Sequence, residues 1–282
     1  MAAVDYLLLG HVTADLTPEG RKLGGTVSYA APIANSFDHQ VGVLTSAAVC
    51  EPLLAQLDKN IQLSIRRAES TTTFENIYPP NASRVQYIHE LASSIEYEDI
   101  PVGWVDAPLV HFAPLVGELP PDMVRKFPNS TVMVTPQGWL RQWDDKGKVS
   151  FKRWFEVDIL SQIDIIVFSK PDVRAAPEME YEFASAVKHC LVTDGSNGGI
   201  YYLNGQPTHF PPFPAQEVDP TGAGDVFASS LLSSLPLLDH NMHAAIGVAA
   251  RLAAISVTHP GVYTFSSEEV AQAIDEARQE FL

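Results

Sequence analysis

Cysteine is nearly absent: Cys50 and Cys190 are the two that the 282 residues contain. Two cysteines build neither a disulfide framework nor a cysteine-rich metal site, so a reducing cytoplasm is the expected location. Basic residues are scarce as well, with 18 Lys+Arg against 34 Asp+Glu and a formal net charge of −16. A surface that acidic repels nucleic acid and anionic lipid, so neither is expected as a partner. Any anionic ligand must then be held by local donors. No apolar run approaches the ~18 residues of a membrane span. The opening Met1-Ala2-Ala3-Val4-Asp5-Tyr6-Leu7-Leu8-Leu9-Gly10 has no basic flank and too short an apolar run for a signal; it reads as a first buried strand of a soluble protein. Internal repeats and a nucleophile elbow are missing, and no histidine pair has metal-ligand spacing. His11, His89 and His111 therefore read as structural.

What is present is an alternation of short Val/Ile-rich runs with longer helical patterns. That rhythm predicts a mostly parallel sheet covered by helices. Strands are expected at 6–10, 40–45, 109–113, 131–135, 163–169, 190–194 and 199–203. Helices are expected at 28–35, 52–57, 179–188, 225–234, 241–257 and 267–282. From 62 to 95 the pattern changes: Thr73, Phe74, Ile77, Tyr78, Val85, Tyr87 and Ile88 alternate around a Pro/Asn/Ser turn at 79–83. This predicts an antiparallel hairpin, either a small lid over a cleft, joined by 11–22, or an edge extension of the main sheet. Asp144-Asp145-Lys146-Gly147-Lys148 reads as a solvated turn.

The most specific run is Asp219-Pro220-Thr221-Gly222-Ala223-Gly224-Asp225. Its glycines let backbone N–H groups approach an anion closely. The apolar stretch from Val226 to Leu232 makes a buried helix that opens out of the turn, and unpaired donors at a helix N-terminus attract negative charge. Asp225 then stands where a hydroxyl can be deprotonated beside a developing anion. A plain Gly-rich turn before a core helix is the alternative. Nearer the start, Gly24-Gly25 precede another apolar helix, and Asp15 follows the first strand closely enough to reach the same pocket.

Together with Thr193-Asp194-Gly195-Ser196-Asn197-Gly198-Gly199 and Ala253-Ala254-Ile255-Ser256-Val257-Thr258-His259-Pro260-Gly261, these motifs resemble the ribokinase-like, or PfkB, carbohydrate kinase family along essentially the whole chain. The resemblance implies one three-layer α/β/α domain over 1–282, with a mostly parallel central sheet and a small β lid. It implies an ATP-dependent kinase with Asp225 as the base and the amides around Gly222, Ala223 and Gly224 as an anion hole for the γ-phosphoryl group. The sugar or polyol would meet Asp15, Gly24 and Gly25. Nucleotide would meet Thr193, Gly195, Gly198, Thr221 and Lys170, with the adenine near Ala249. Asp172 would hold Mg2+ through water, although Ser169 stands where the family has Asn; a helix-capping acid is the alternative. Asp219, Thr221, Ser256 and Gly261 match positions that hold a monovalent cation such as K+ in relatives, while Phe265 stands where a hydroxyl would help.

Tyr29 occupies the place of a ribose-binding Asn. With Pro136-Gln137-Gly138-Trp139-Leu140-Arg141 it resembles the inositol-kinase branch. A myo-inositol-like ring, contacted by Gln137 and Arg141, is the first expectation for the acceptor. Arg141 could equally pair with Asp144 or Asp145, and the tryptophans 139, 143 and 154 read mainly as packing. A nucleoside kinase with Phe74, Tyr78 and Tyr87 around a base, and a non-catalytic sugar- or nucleotide-binding regulator, stay open. So does a homodimer paired through the lid.

Overall fold

Buried apolar runs decide the central sheet. The computed structural model describes residues 2–77 and 84–281; Met1, Leu282, Tyr78 and the turn expected at 79–83 lie outside the described residues. In chain order the strands are β1 (Tyr6–Leu9), β2 (Thr13–Thr17), β3 (Gly20–Gly24), β4 (Val41–Ala48), β5 (Gln62–Ala68), β6 (Thr73–Ile77), β7 (Val85–Glu90), β8 (Leu109–Phe112), β9 (Thr131–Val134), β10 (Arg141–Trp143), β11 (Val149–Phe151), β12 (Ile165–Ser169), β13 (His189–Thr193), β14 (Gly199–Leu203) and β15 (Gln206–Phe210). The helices are α1 (Thr26–Ser36), α2 (Val157–Leu160), α3 (Met179–Ala186), α4 (Ala223–Ser234), α5 (Met242–Ser256) and α6 (Ser267–Phe281).

The main sheet runs β15-β14-β13-β12-β9-β8-β1-β4-β5. Its pairs from β13 through β5 are parallel, and β14 and β15 close one edge antiparallel. β1 and β8 are buried along their whole length, as strands covered on both faces must be. One face packs Leu8, Val43 and Met133 against α1, α4, α5 and α6. The other packs Leu7, Val110 and Val134 around Trp104, Trp139 and Phe183. In α6 the buried Val270, Ala273, Ile274 and Ala277 recur at helical spacing and form the stripe that docks it. Ser266 and Glu269 start that helix with reciprocal side-chain-to-backbone bonds.

A separate four-stranded sheet, β3-β2-β6-β7, forms beside the main one. β6 and β7 pair antiparallel from Ile77↔Val85, and β2 joins β6 in parallel. The stretch from Gln62 to Ala68 departs from expectation. It is not part of this small sheet but the edge of the main one, paired in parallel with β4 from Gly42↔Gln62 to Ala48↔Ala68. An alternating half-exposed strand shows the same pattern on a lid and at a sheet edge, so the pattern alone could not separate them.

Candidate functional site

The C-terminal ends of β9, β12 and β13, the start of α1 and the inner face of the small sheet enclose a cavity of about 510 Å³. Open α/β sheets bind ligands at this edge. The 218–225 segment closes its floor. Val218 and Asp219 N–H donate to the carbonyl of Val257, at 2.8 and 3.0 Å. The Asp219 carboxylate then accepts from Thr221 N–H and Gly261 N–H, both at 3.0 Å. Desolvation notwithstanding, those bonds hold the Asp219 carboxyl below its ordinary range. Asp219 is thus a staple between two loops.

Gly222 caps α4 at φ 80, a left-handed conformation. A Cβ there would lie 2.2 Å from Cδ1 of Tyr29, so the Tyr29 ring lies directly on the turn. The first i→i−4 bond of α4 runs from Val226 N–H to Gly222 O at 2.9 Å, which places the Gly224 and Asp225 amides ahead of the helical ladder. Ala223 differs from expectation: its N–H turns back to Pro220 O at 3.2 Å. Asp225 reaches the cavity from this first turn. Burial pushes its carboxyl up to about 6; a hydrogen bond from Thr26 and the more distant Arg141 pull it down, and Asp172 adds to the rise.

Of the two roles anticipated for Asp172, the structure shows the cap. It lines the cavity and also caps its turn: Oδ2 accepts from Ser169 N–H at 2.9 Å and Ser169 Oγ at 2.6 Å. Its Oδ1 accepts from Gln137 Nε2 at 3.2 Å, which joins two residues assigned to different ligands.

At the far end, Asp15 accepts from Thr13 Oγ1 at 3.2 Å and lies against Gly24, where a Cβ would come within 2.6 Å of Oδ2. Gly24 therefore serves Asp15, while Gly25 lines the cavity itself. Burial raises the Asp15 carboxyl; Thr13, Arg84 and Arg141 oppose the rise. Arg141 donates to Leu115 O at 3.3 Å and stands over the Phe74 ring; it does not pair with Asp144 or Asp145. Burial pushes its guanidinium down to about 10. Glu118 anchors the loop beneath, accepting from the amides of His11, Leu115 and Val116 at 2.8–3.1 Å.

A second cavity of about 400 Å³ adjoins the first and shares Thr193, Gly195, Pro220, Ala223 and Gly224 with it. Gly198, Phe210, Phe213, Phe227, Ala250, Ala253 and Ala254 give it an apolar wall. Ala249 is a correction: it is fully buried in the core, and the open face of α5 is Ala250, Ala253, Ala254 and Val257, one helical stripe away. Lys170 lines neither cavity; its ammonium pairs with Asp194 at 2.8 Å. Ser256 lines neither, and its hydroxyl donates to Ala253 O at 2.8 Å. The 144–148 turn is not merely solvated. It joins β10 to β11, and Gly147 O accepts from Ile88 N–H of the lid at 2.8 Å. Trp139 and Trp154 pack together in the core, as expected.

Comparison with known proteins meets this geometry. Residues 157–269, which span α2 to the start of α6, match the model of the pfkB family carbohydrate kinases. The fold is ribokinase-like, and this segment is similar to the pfkB carbohydrate kinases. An inositol 3-kinase of Zea mays is 32% identical over 154 residues, covering 53% of this chain and 39% of that protein's length. A pyrophosphate-dependent kinase of the ribokinase family, solved with a pyrophosphate analog and myo-inositol, superposes with a TM-score of 0.79 at 19% identity, covering 95% of this chain and 99% of that one. The Arabidopsis thaliana ribokinase complexed with ribose and ATP superposes with a TM-score of 0.71 at 16% identity, covering 96% and 99%. Among the described residues no helix is long and apolar enough to cross a membrane.

The ribokinase-like frame explains why the signature was legible and other residues were not. Thr26 follows Gly24-Gly25 directly, yet nothing in its type announces a bond to Asp225. Arg84 lines the cavity from the lid, but in sequence it is one more charge on a β hairpin.

Proposed function

We propose that this chain is an ATP-dependent kinase that phosphorylates a hydroxyl of a small sugar or polyol, with a myo-inositol-like ring as the first candidate. The observation that carries the reading is Asp225, a partly buried carboxylate with its carboxyl near 6, facing a cavity beside the free amides of a helix start. Such a group is a base at neutral pH. In the proposed reaction the acceptor hydroxyl gives its proton to Asp225 and its oxygen attacks the terminal phosphorus of ATP. The new O–P bond forms as the bond to ADP breaks and ADP leaves with the electron pair. Amides of the α4 first turn meet the charge on the transferred group, and positioning supplies most of the rest.

The second cavity supports a nucleotide donor, because a donor without a base has no use for an apolar pocket beside the phosphate turn. Among the described residues no cluster of three or more His, Cys, Asp or Glu could cage a metal directly. Asp172 fits Mg2+ held through water, since that ion sheds its waters reluctantly; bound there, Mg2+ would neutralise donor phosphates. Both Asp219 oxygens already take backbone amides and Ser256 faces a carbonyl, so the residues fit a loop staple and no step is derived through K+. The lid side of the cavity carries Asn76, Arg84 and Gln86 with Phe74 as its aromatic, which favours a polyol over a nucleoside base. A cytoplasmic enzyme belongs to this reading, as does a dimer through the lid, where Ile77 and Leu91 are 42% and 41% exposed.

Incubation of the purified chain with ATP and a panel of polyols, sugars and nucleosides tests the reading. One polyol or sugar should be consumed; no ATP consumption with any member would refute it. In Ala254→Trp the indole should fill the second cavity and raise the KM for ATP by at least about tenfold, the effect of losing roughly 1.4 kcal/mol of binding. An unchanged KM for ATP would remove the adenine from that cavity. The pH profile is a third check. Asp225 must be ionised to accept a proton, so kcat/KM should climb from pH 5 to 7 with a midpoint near the carboxyl's value of about 6. A flat profile across that window would place the base elsewhere.

A further inference from the structure

Residues 211–217 run as a strap from β15 to the Asp219 turn and form one wall of the second cavity. Both ends are fixed. Phe210 stacks on Phe227 with 5.6 Å between ring centroids, and Val218 N–H donates to Val257 O. Between them Pro211, Pro212 and Pro214 have no N–H to give. Among the described residues no backbone group of the strap makes a hydrogen bond. Every strap residue is exposed except Phe213, which is half-buried. Its ring lies on Arg251 of α5, whose Cζ stands 4.3 Å from the centroid. That guanidinium is itself held: Nε donates to Glu276 at 2.7 Å and Nη2 to Glu280 at 3.2 Å, both on α6. The side chain is 14% exposed, and among the described residues the buried Nη1 has no hydrogen-bond partner. Carboxylates on its edge leave the guanidinium its flat face, which attracts an aromatic ring most strongly where water is excluded. The ring contact is thus the anchor of the strap's middle.

We propose that Arg251 is a positioning residue for the nucleotide donor: its guanidinium holds the Phe213 ring, and through it the strap, against a base in the second cavity. This rests on the kinase reading of that cavity and adds a residue that lies outside it. Arg251 does not line the cavity, whereas Ala250 and Ala254 of the same helix do. Glu276 and Glu280 keep the guanidinium from turning away, so α6, remote from the reacting groups, takes part in gripping the donor. Proton and phosphoryl transfer at Asp225 do not pass through this clamp.

The test is a double-mutant cycle in the KM for ATP, run with whichever polyol or sugar is consumed. Arg251→Met keeps an apolar stem and loses the face that the ring rests on. It should raise the KM for ATP about tenfold, with kcat and the acceptor KM within about twofold of wild type. In a Phe213→Leu background the same change should raise that KM by less than about twofold, because the ring it works through is gone. An equal rise in both backgrounds would overturn the inference, since Arg251 would then be acting through the packing of α5 on α6. So would an unchanged KM in Arg251→Met. Phe213→Leu lies in a segment without backbone hydrogen bonds and should fold whatever Arg251→Met does. Alone it should raise the KM for ATP several-fold, and a wild-type KM there overturns the clamp as well. If no acceptor is phosphorylated, the kinase reading fails, and the same cycle run on the Kd of a fluorescent ATP analogue still decides the clamp. No binding of that analogue by wild type would remove both.

Discussion

Replacing Asp225 with asparagine should abolish phosphoryl transfer almost completely while leaving a better-folded protein. Removal of a general base costs about 10²–10⁴ in rate, and an amide cannot take a proton from an alcohol at neutral pH. Acceptor binding should survive, because the side-chain shape and the amides of α4 are retained. Stability should move the other way. The Asp225 carboxyl sits near 6 in the fold against 3.8 as an ordinary aspartate, so between those pH values the unfolded chain ionises first. The native state therefore loses stability as pH rises through that window, and the full penalty persists above it. Asp225→Asn removes the penalty, a gain of about 1–2 kcal/mol after allowance for partial exposure, or a few degrees in Tm at pH 7.5. Below pH 4 the gain should vanish. A variant that transfers phosphate at the wild-type rate refutes the mechanism, and a Tm difference that is the same at pH 4 and pH 7.5 refutes the account of the burial.

Gly222→Ala is the second large effect. A methyl at that position meets the Tyr29 ring at 2.2 Å, and the backbone needs φ 80. The left-handed conformation alone costs an L-residue on the order of 1–3 kcal/mol, and the overlap comes on top. Either the ring or the turn must shift, and a turn displaced by an ångström misplaces the donors it presents. A loss of at least about 10²-fold in kcat is expected, comparable with removal of one preorganised donor. Gly224→Ala is the control for the fold: nothing lies within 4 Å of its added carbon and its φ is ordinary, so its Tm should stay close to wild type. Pairing Gly222→Ala with Tyr29→Ala should restore part of the lost Tm. No restoration would mean that the ring is not what the methyl strikes.

The chain announces some of this plainly. The run from Asp219 to Asp225 states its own turn, because two glycines before an apolar helix with an acid between them have few other uses. The strands of the parallel core are equally legible, since unbroken apolar runs such as Tyr6–Leu9 fit only where both faces are covered. What stayed hidden depends on partners far away in sequence. Gln62–Ala68 alternates like a lid strand, and only its pairing with Val41–Ala48 shows it to be a sheet edge. Ala249 and Ala250 are the same residue type on one helix, and the turn of about 100° between them separates a core position from a cavity wall. Tyr29 was visible as an unusual residue after the double glycine, but its contact with Gly222 spans nearly two hundred positions and no local pattern encodes it.

The bond from Ile88 N–H to Gly147 O has a mechanical meaning. It rivets the small sheet to the hairpin whose first strand begins with Arg141. Any shift of the small sheet that keeps this bond would carry that hairpin, and Arg141 with it, as one body.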